Sequence, residues 1–70
     1  MEMKIEYDKD ADAAYIYFKD IGEGEVVQTI SLNYSVHIDL DAEGKTLGIE
    51  IIDASKNLPA NAIKSAIVIN

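Results

Sequence analysis

The run Val36–Ile52, VHIDLDAEGKTLGIEII, constrains this chain more than any other feature, because it reads as one β-hairpin with its register written in. Apolar residues alternate on both sides of a polar turn: Val36, Ile38 and Leu40 before it, Leu47, Ile49 and Ile51 after it. A three-residue loop would set Ile38 opposite Gly48 and drive the two apolar sets to opposite faces. A four-residue loop, Ala42–Lys45, instead pairs Leu40 with Leu47, Ile38 with Ile49 and Val36 with Ile51. A one-residue slip turns every side chain over, so the hydrophobic pattern selects the second register. Gly44 supplies the left-handed position of the turn, and His37 falls opposite Glu50 on the outer face.

The same letters come close to a calcium loop. Asp39, Asp41, Glu43, Gly44 and Glu50 occupy the first, third, fifth, sixth and twelfth positions of an EF-hand pattern. The flanks decide against it. An EF-hand loop joins two helices, whereas VHIDL and LGIEII alternate with period two. In the hairpin Glu50 lies level with His37, well back from the turn, since each strand residue advances about 3.3 Å. Asp8, Asp10 and Asp12 repeat the spacing without the glycine or the glutamate. Weak calcium or other divalent-cation binding at Asp39–Glu43 or Asp8–Asp12 is therefore the alternative reading, and an acidic turn is the first.

The rest of the chain follows the same logic. Met3–Tyr7 alternates as a half-buried strand, Asp8–Asp12 is a polar turn, and Ala13–Phe18 is a β-favouring partner strand. Setting Ile5 opposite Ile16 places Tyr7 by Ala14 and Met3 by Phe18, which makes one face apolar. Lys19–Glu25 is a loop. Val26–Leu32 is a third strand with Val26, Ile30 and Leu32 inward, interrupted by Gln28. In the tail, Pro59 suits a first helical position, and Ile63, Ala66 and Ile67 share a helical face. This predicts a short helix over Ala60–Ile67, although Ala66–Ile69 also reads as a strand. The expected fold is a single α+β domain over residues 1–70: a four- to five-stranded antiparallel sheet built from hairpins, with one short C-terminal helix.

Seventy residues bury only about 60% of the surface exposed by the unfolded chain, and a net stability of roughly 3–5 kcal/mol is the expectation. There is no cysteine, so no disulfide or thiolate metal site adds to that, which fits a reducing cytoplasm. Self-association is the remaining source of stability, and a homodimer is expected. Thirteen acidic residues face six lysines and no arginine, a net charge of −7. Such a field repels phosphate backbones and lacks the planar fork that reads guanine, which argues against nucleic acid as a partner. It steers a basic protein partner instead. No segment has the ~20 apolar residues that span a bilayer, and Met1–Tyr7 does not read as a signal peptide.

Candidate chemistry is sparse. His37 is the single residue with an ordinary pKa near neutrality. A serine hydrolase would need it to activate Ser31, Ser35, Ser55 or Ser65, and no nucleophile-elbow or oxyanion motif accompanies any of them. Cross-strand pairing with Glu50 accounts for the histidine without chemistry. One histidine without cysteines does not make a zinc site. Asp39 and Asp41 share a strand face but no evident cleft to raise one carboxyl pKa. The expectation is a non-enzyme without a cofactor. Tyr15, Tyr17 and Ile52 on the outer face are the candidate interface, since tyrosine buries much area while keeping a polar tip.

Two blocks carry a resemblance. Lys4–Phe18 reads KIEYDKDADAAYIYF and Ile38–Leu58 reads IDLDAEGKTLGIEIIDASKNL. Lys4, Ile5, Tyr7, Asp8, Ala11, Asp12, Ala13, Tyr15 and Ile16 stand in the opening pattern. Asp39, Asp41, Gly44, Gly48, Ile49, Glu50, Ile51, Asp53, Ala54 and Ser55 stand in the closing one. In these the chain resembles a small prokaryotic family, the domain of unknown function 2283. The resemblance implies a small β-rich domain, brings no activity, cofactor or catalytic residue, and suggests an antitoxin-like companion of a small neighbouring protein. The basic DNA-binding arm of many antitoxins is missing here.

Overall fold

A computed structural model describes residues 3–70; Met1 and Glu2, the start of the Met1–Tyr7 segment, lie outside the described residues. The chain forms β1 (Lys4–Asp8), β2 (Ala13–Tyr17), β3 (Gln28–Ser31), β4 (Val36–Leu40), β5 (Thr46–Ile52), α1 (Ala54–Asn57), α2 (Ala60–Ser65) and β6 (Ile67–Val68). The strands make one six-stranded sheet in the order β3-β4-β5-β2-β1-β6. All pairs are antiparallel except β1 with β6, which is parallel. The class is α+β as expected, with six strands in place of four or five and two short helices in place of one.

The tail corrects the sequence reading. The helix expected over Ala60–Ile67 stops at Ser65, and Ile67–Val68 continues as an edge strand beside Glu6 and Tyr7. Both tendencies of the tail are used, one after the other. An additional helix precedes them, entered through Asp53 in the left-handed conformation at φ 53°. Aspartate tolerates that region better than most residues. The third strand is shorter than Val26–Leu32, because only Gln28–Ser31 pairs with β4. Val26, Ile30 and Leu32, expected inward, are exposed.

Period-two alternation sorts the sheet into two unlike faces. Register pairs Ile5 with Ile16, Ile16 with Ile49, Ile49 with Ile38 and Ile38 with Ile30. One unbroken row of five isoleucines therefore crosses β1, β2, β5, β4 and β3. The next row on that face is Tyr7, Ala14, Ile51 and Val36. The opposite face carries Lys4, Glu6, Tyr15, Tyr17, His37, Asp39 and Glu50, so the charged strand residues all point away from the isoleucines.

The second hairpin keeps the predicted pairs Ile38–Ile49 and Val36–Ile51. Nearer the turn it departs, because Leu40 pairs with Thr46 and not with Leu47, through an irregularity between Asp39 and Leu40. An extra residue on one strand gives the local kink of a bulge. Leu47 is only 2% exposed, so the bulge resolves the conflict between a favourable turn and the burial of Leu47.

The helices cover one end of the isoleucine face. Ala14, Ile51 and Ala54 form the buried cluster, with Ile5, Tyr7, Ile16, Val36, Ile49, Leu58 and Ile63 packed around it. Ala54 has no exposed surface, and Ile51 is 6% exposed. Ile51→Ala is expected to cost about 2–4 kcal/mol through lost transfer energy and an unfilled cavity. That is most of the roughly 3–5 kcal/mol available to a chain this small. Urea unfolding followed by circular dichroism should show the variant largely unfolded at 25 °C.

Candidate functional site

The polar face is where the sequence placed its candidates, and the structure ties several of them into one network. Tyr15 sits opposite Glu50, but its ring leans along the sheet across Gly48, and its hydroxyl donates to Asp39 Oδ2 at 2.6 Å. Thr29 donates to the other oxygen, Asp39 Oδ1, at 2.6 Å. A Cβ on Gly48 would lie 2.4 Å from the Tyr15 ring, so the glycine is the seat of that ring. Burial, then the Asp39 hydrogen bond, pushes the Tyr15 hydroxyl pKa far up. This phenol is neutral at any physiological pH, a donor and not a base.

Tyr17 packs against Tyr15 with ring centroids 4.6 Å apart, and Lys4 Nζ lies 4.9 Å from the Tyr17 ring centre. Burial and the nearby Glu6 carboxylate raise its pKa as well. Ile52 shares this face, opposite Ala13. The three candidate interface residues thus lie on one face, and all are half-buried by the protein's own side chains.

His37 meets Ser31 across the β3–β4 pair, with Ser31 Oγ 2.7 Å from Nδ1, while Nε2 lies 2.9 Å from the Tyr34 carbonyl oxygen. A carbonyl can only accept, so Nε2 carries hydrogen, and in the neutral ring Nδ1 accepts from the serine. Sequence order gave no reason to choose Ser31 among four serines; the hairpin register does. The pair is exposed, and neither depression found beside α2 includes it. It has the geometry of a cross-strand hydrogen bond.

Two carboxylates of the calcium-loop pattern are hydrogen-bonded within the chain. Asp39 is bound to Tyr15 and Thr29, while Asp41 Oδ1 accepts from the backbone of Glu43 at 2.9 Å and of Lys45 at 2.8 Å. That side-chain turn, with Gly44 at φ 81°, closes the hairpin. Asp8 does the same in the first turn, accepting from Asp10 and Ala11. Among the described residues no group of three or more His, Asp or Glu gathers to hold a metal ion.

The third aspartate of that turn has a different task. Asp12, left-handed at φ 50°, caps α1 from another loop. Its Oδ1 accepts from Ser55 N at 3.0 Å, its Oδ2 from Ser55 Oγ at 2.7 Å, and its carbonyl from Ala54 N at 2.8 Å. The Tyr7 hydroxyl adds a fourth bond at 2.8 Å. Helix N-termini leave backbone N–H groups unpaired, and a carboxylate oxygen is a good acceptor for them.

The residues that carried the resemblance are the ones just placed: Tyr7, Asp12 and Ser55 in the cap, Tyr15, Asp39 and Gly48 on the polar face, Asp41 and Gly44 in the turn. Residues 4–55, roughly three-quarters of the chain, match the family described as a protein of unknown function (DUF2283). This chain belongs to DUF2283. No curated protein and no solved structure matches it. In this member several polar letters of the DUF2283 pattern serve turns, a helix cap and one cross-strand bond. The pattern ends at Ser55, the residue that Asp12 captures.

Two outcomes follow from this geometry. Gly48→Ala should displace the Tyr15 ring and cost about 1.5–3 kcal/mol, the range for a hydrogen bond to a charged group. In a Tyr15→Ala background the same change should be neutral or stabilising, because glycine is the poorer strand residue; urea midpoints of the four proteins check the reversal. The Ser55 hydroxyl, then the Tyr7 hydroxyl, hold the Asp12 carboxyl below its ordinary range. Its contribution is therefore complete above the ordinary value of about 3.9 and is lost as pH falls through the lowered one. Asp12→Asn should lower stability at pH 7 and flatten the acid limb, measured as urea midpoints between neutral and low pH.

Proposed function

We propose that this DUF2283 chain is a non-catalytic, cytoplasmic protein-interaction module that works as a homodimer, with an acidic end left free for a basic protein partner. One observation carries the reading. Among the described residues only Ala14, Leu47, Ile51 and Ala54 are buried apolar residues, while ten large hydrophobics, Ile30 and Leu32 among them, are exposed. A small chain without staples gains stability by closing such surface against another protein.

The acidic end supports the second half of the proposal. The β2–β3 connection brings Asp20, Glu23 and Glu25, and the β4–β5 turn brings Asp41 and Glu43. Glu25 lies close enough to Asp41 to feel its charge. Lys19 pairs with Glu25 and Lys45 with Glu43, which leaves the end acidic on balance. Such a field speeds encounter with a basic protein. It also suits an antitoxin-like companion of a basic toxin.

Light scattering after size exclusion tests the association. The expected molar mass is twice 7.7 kDa, unchanged between low and moderate salt. A mass of one chain at every concentration up to the millimolar range overturns it.

A further inference from the structure

We infer that the homodimer forms face to face across the five-isoleucine row, and not across the Tyr15/Tyr17 face; this assignment rests on the self-association proposed above. The row runs through Ile5, Ile16, Ile49, Ile38 and Ile30, the centre of the sheet, yet none of the five is buried. Ile5, Ile16 and Ile49 pack against the buried cluster of Ala14, Ile51 and Ala54 along one edge but stay only partly covered. At the β1–β2 end of the isoleucine row the gap is an open groove of about 590 Å³ lined by Met3, Lys4, Ile5, Ile16, Ser65 and Ile67. At the β3 end Ile30 is 45% exposed, and Leu32, bonded through its N–H to the Val36 carbonyl, is 69% exposed.

Charge decides what covers it. The protein carries −7, so two copies repel unless their carboxylates are kept apart. Alternation along the strands puts Glu6, His37, Asp39 and Glu50 on the other side, and the one charged strand residue that lines the groove is Lys4, so no strand carboxylate faces the isoleucine row. Sheets packed face to face sit about 10 Å apart, and side chains on the outer faces stand farther still. The strand carboxylates of the two copies then lie on the two outermost faces, in water, with both sheets between them. Closure across the tyrosine face would do the reverse, setting Glu6, Asp39 and Glu50 of one copy against those of the other. A basic partner has no carboxylate to meet on the isoleucine face. A second copy brings an identical apolar row.

The test uses the full chain at a concentration where the wild type is a dimer. Ile30→Glu with Leu32→Glu should reduce the molar mass by half, because both side chains sit at the sheet edge, 45% and 69% exposed in one copy. Ser31→Glu, on the same strand but the opposite face, should leave the mass unchanged. In wild-type protein with labelled isoleucine methyls, dilution should move the signals of Ile30, Ile38 and Ile49 and leave Ile52 in place; this readout needs no variant to fold. A dimer that survives Ile30→Glu/Leu32→Glu, or dilution shifts centred on Ile52, overturns the assignment while leaving self-association standing. A wild type that is monomeric throughout overturns both.

Discussion

The cross-strand register of one row of isoleucines is the constraint on which the rest of the structure depends. β-branched side chains set directly opposite one another pack well on a pleated surface, and five strands contribute one each. A slip of one residue in any strand would put a lysine, a tyrosine, an aspartate, a glutamate or a threonine into the row in place of an isoleucine. The cost of that exchange fixes the pairing of β2 with β5 as firmly as it fixes the hairpins, although no turn joins those two strands. Once the row is aligned, Tyr7, Ala14, Ile51 and Val36 fall into line beside it and present the surface on which Ala54, Leu58 and Ile63 settle.

The polar face solves a separate problem with few residues. A glycine in a central strand weakens the sheet, since it packs nothing and loses the most backbone freedom on folding. Here Gly48 is buried because the Tyr15 ring lies over it, and the ring is held there by Asp39. Glycine, tyrosine and aspartate therefore act as one unit across three strands. Asp12 performs the comparable service for the helical layer, binding the start of α1 to the β1–β2 turn. Through these two carboxylates the sheet, the first turn and the helices hold together with little buried core.

The hairpins were legible because their information is local: alternation and turn residues lie within a dozen positions of each other. Ile5–Ile16, Ile38–Ile49 and Val36–Ile51 could be paired from spacing alone. The bulge at Leu40 could not, since the alternation before and after it obeys the regular register and only the burial of Leu47 gives it away. The tail was read as helix or strand because each of its short segments satisfies one period, and two residues of parallel strand leave no pattern of their own. Of the candidate site, the face shared by Tyr15, Tyr17 and Ile52 was legible from parity. The Tyr15–Asp39 bond spans twenty-four residues between strands that are not adjacent in the chain, and nothing local announces it. The same is true of Asp12 and Ser55, which read as turn and helix start and turn out to be each other's partners.

A sheet of this size has two faces and one short helical layer, so one face must be left partly open. The residues that could serve a contact on the polar face are already engaged within the chain: Tyr15 with Asp39, Tyr17 with Tyr15 and Lys4, Ser31 with His37. Exposing that face to water is inexpensive because its charges remain solvated. The isoleucine face has no such outlet, since apolar surface costs about 25 cal/mol for each Å² left in water. Adding helix would close it but requires a longer chain, and α1 and α2 leave the isoleucine row only partly covered. In the proposed dimer, electrostatics acts as the selector between closures. On an acidic protein the surface free of charge is the one that a second acidic copy can approach, and alternation along five strands has collected that surface into a single continuous row.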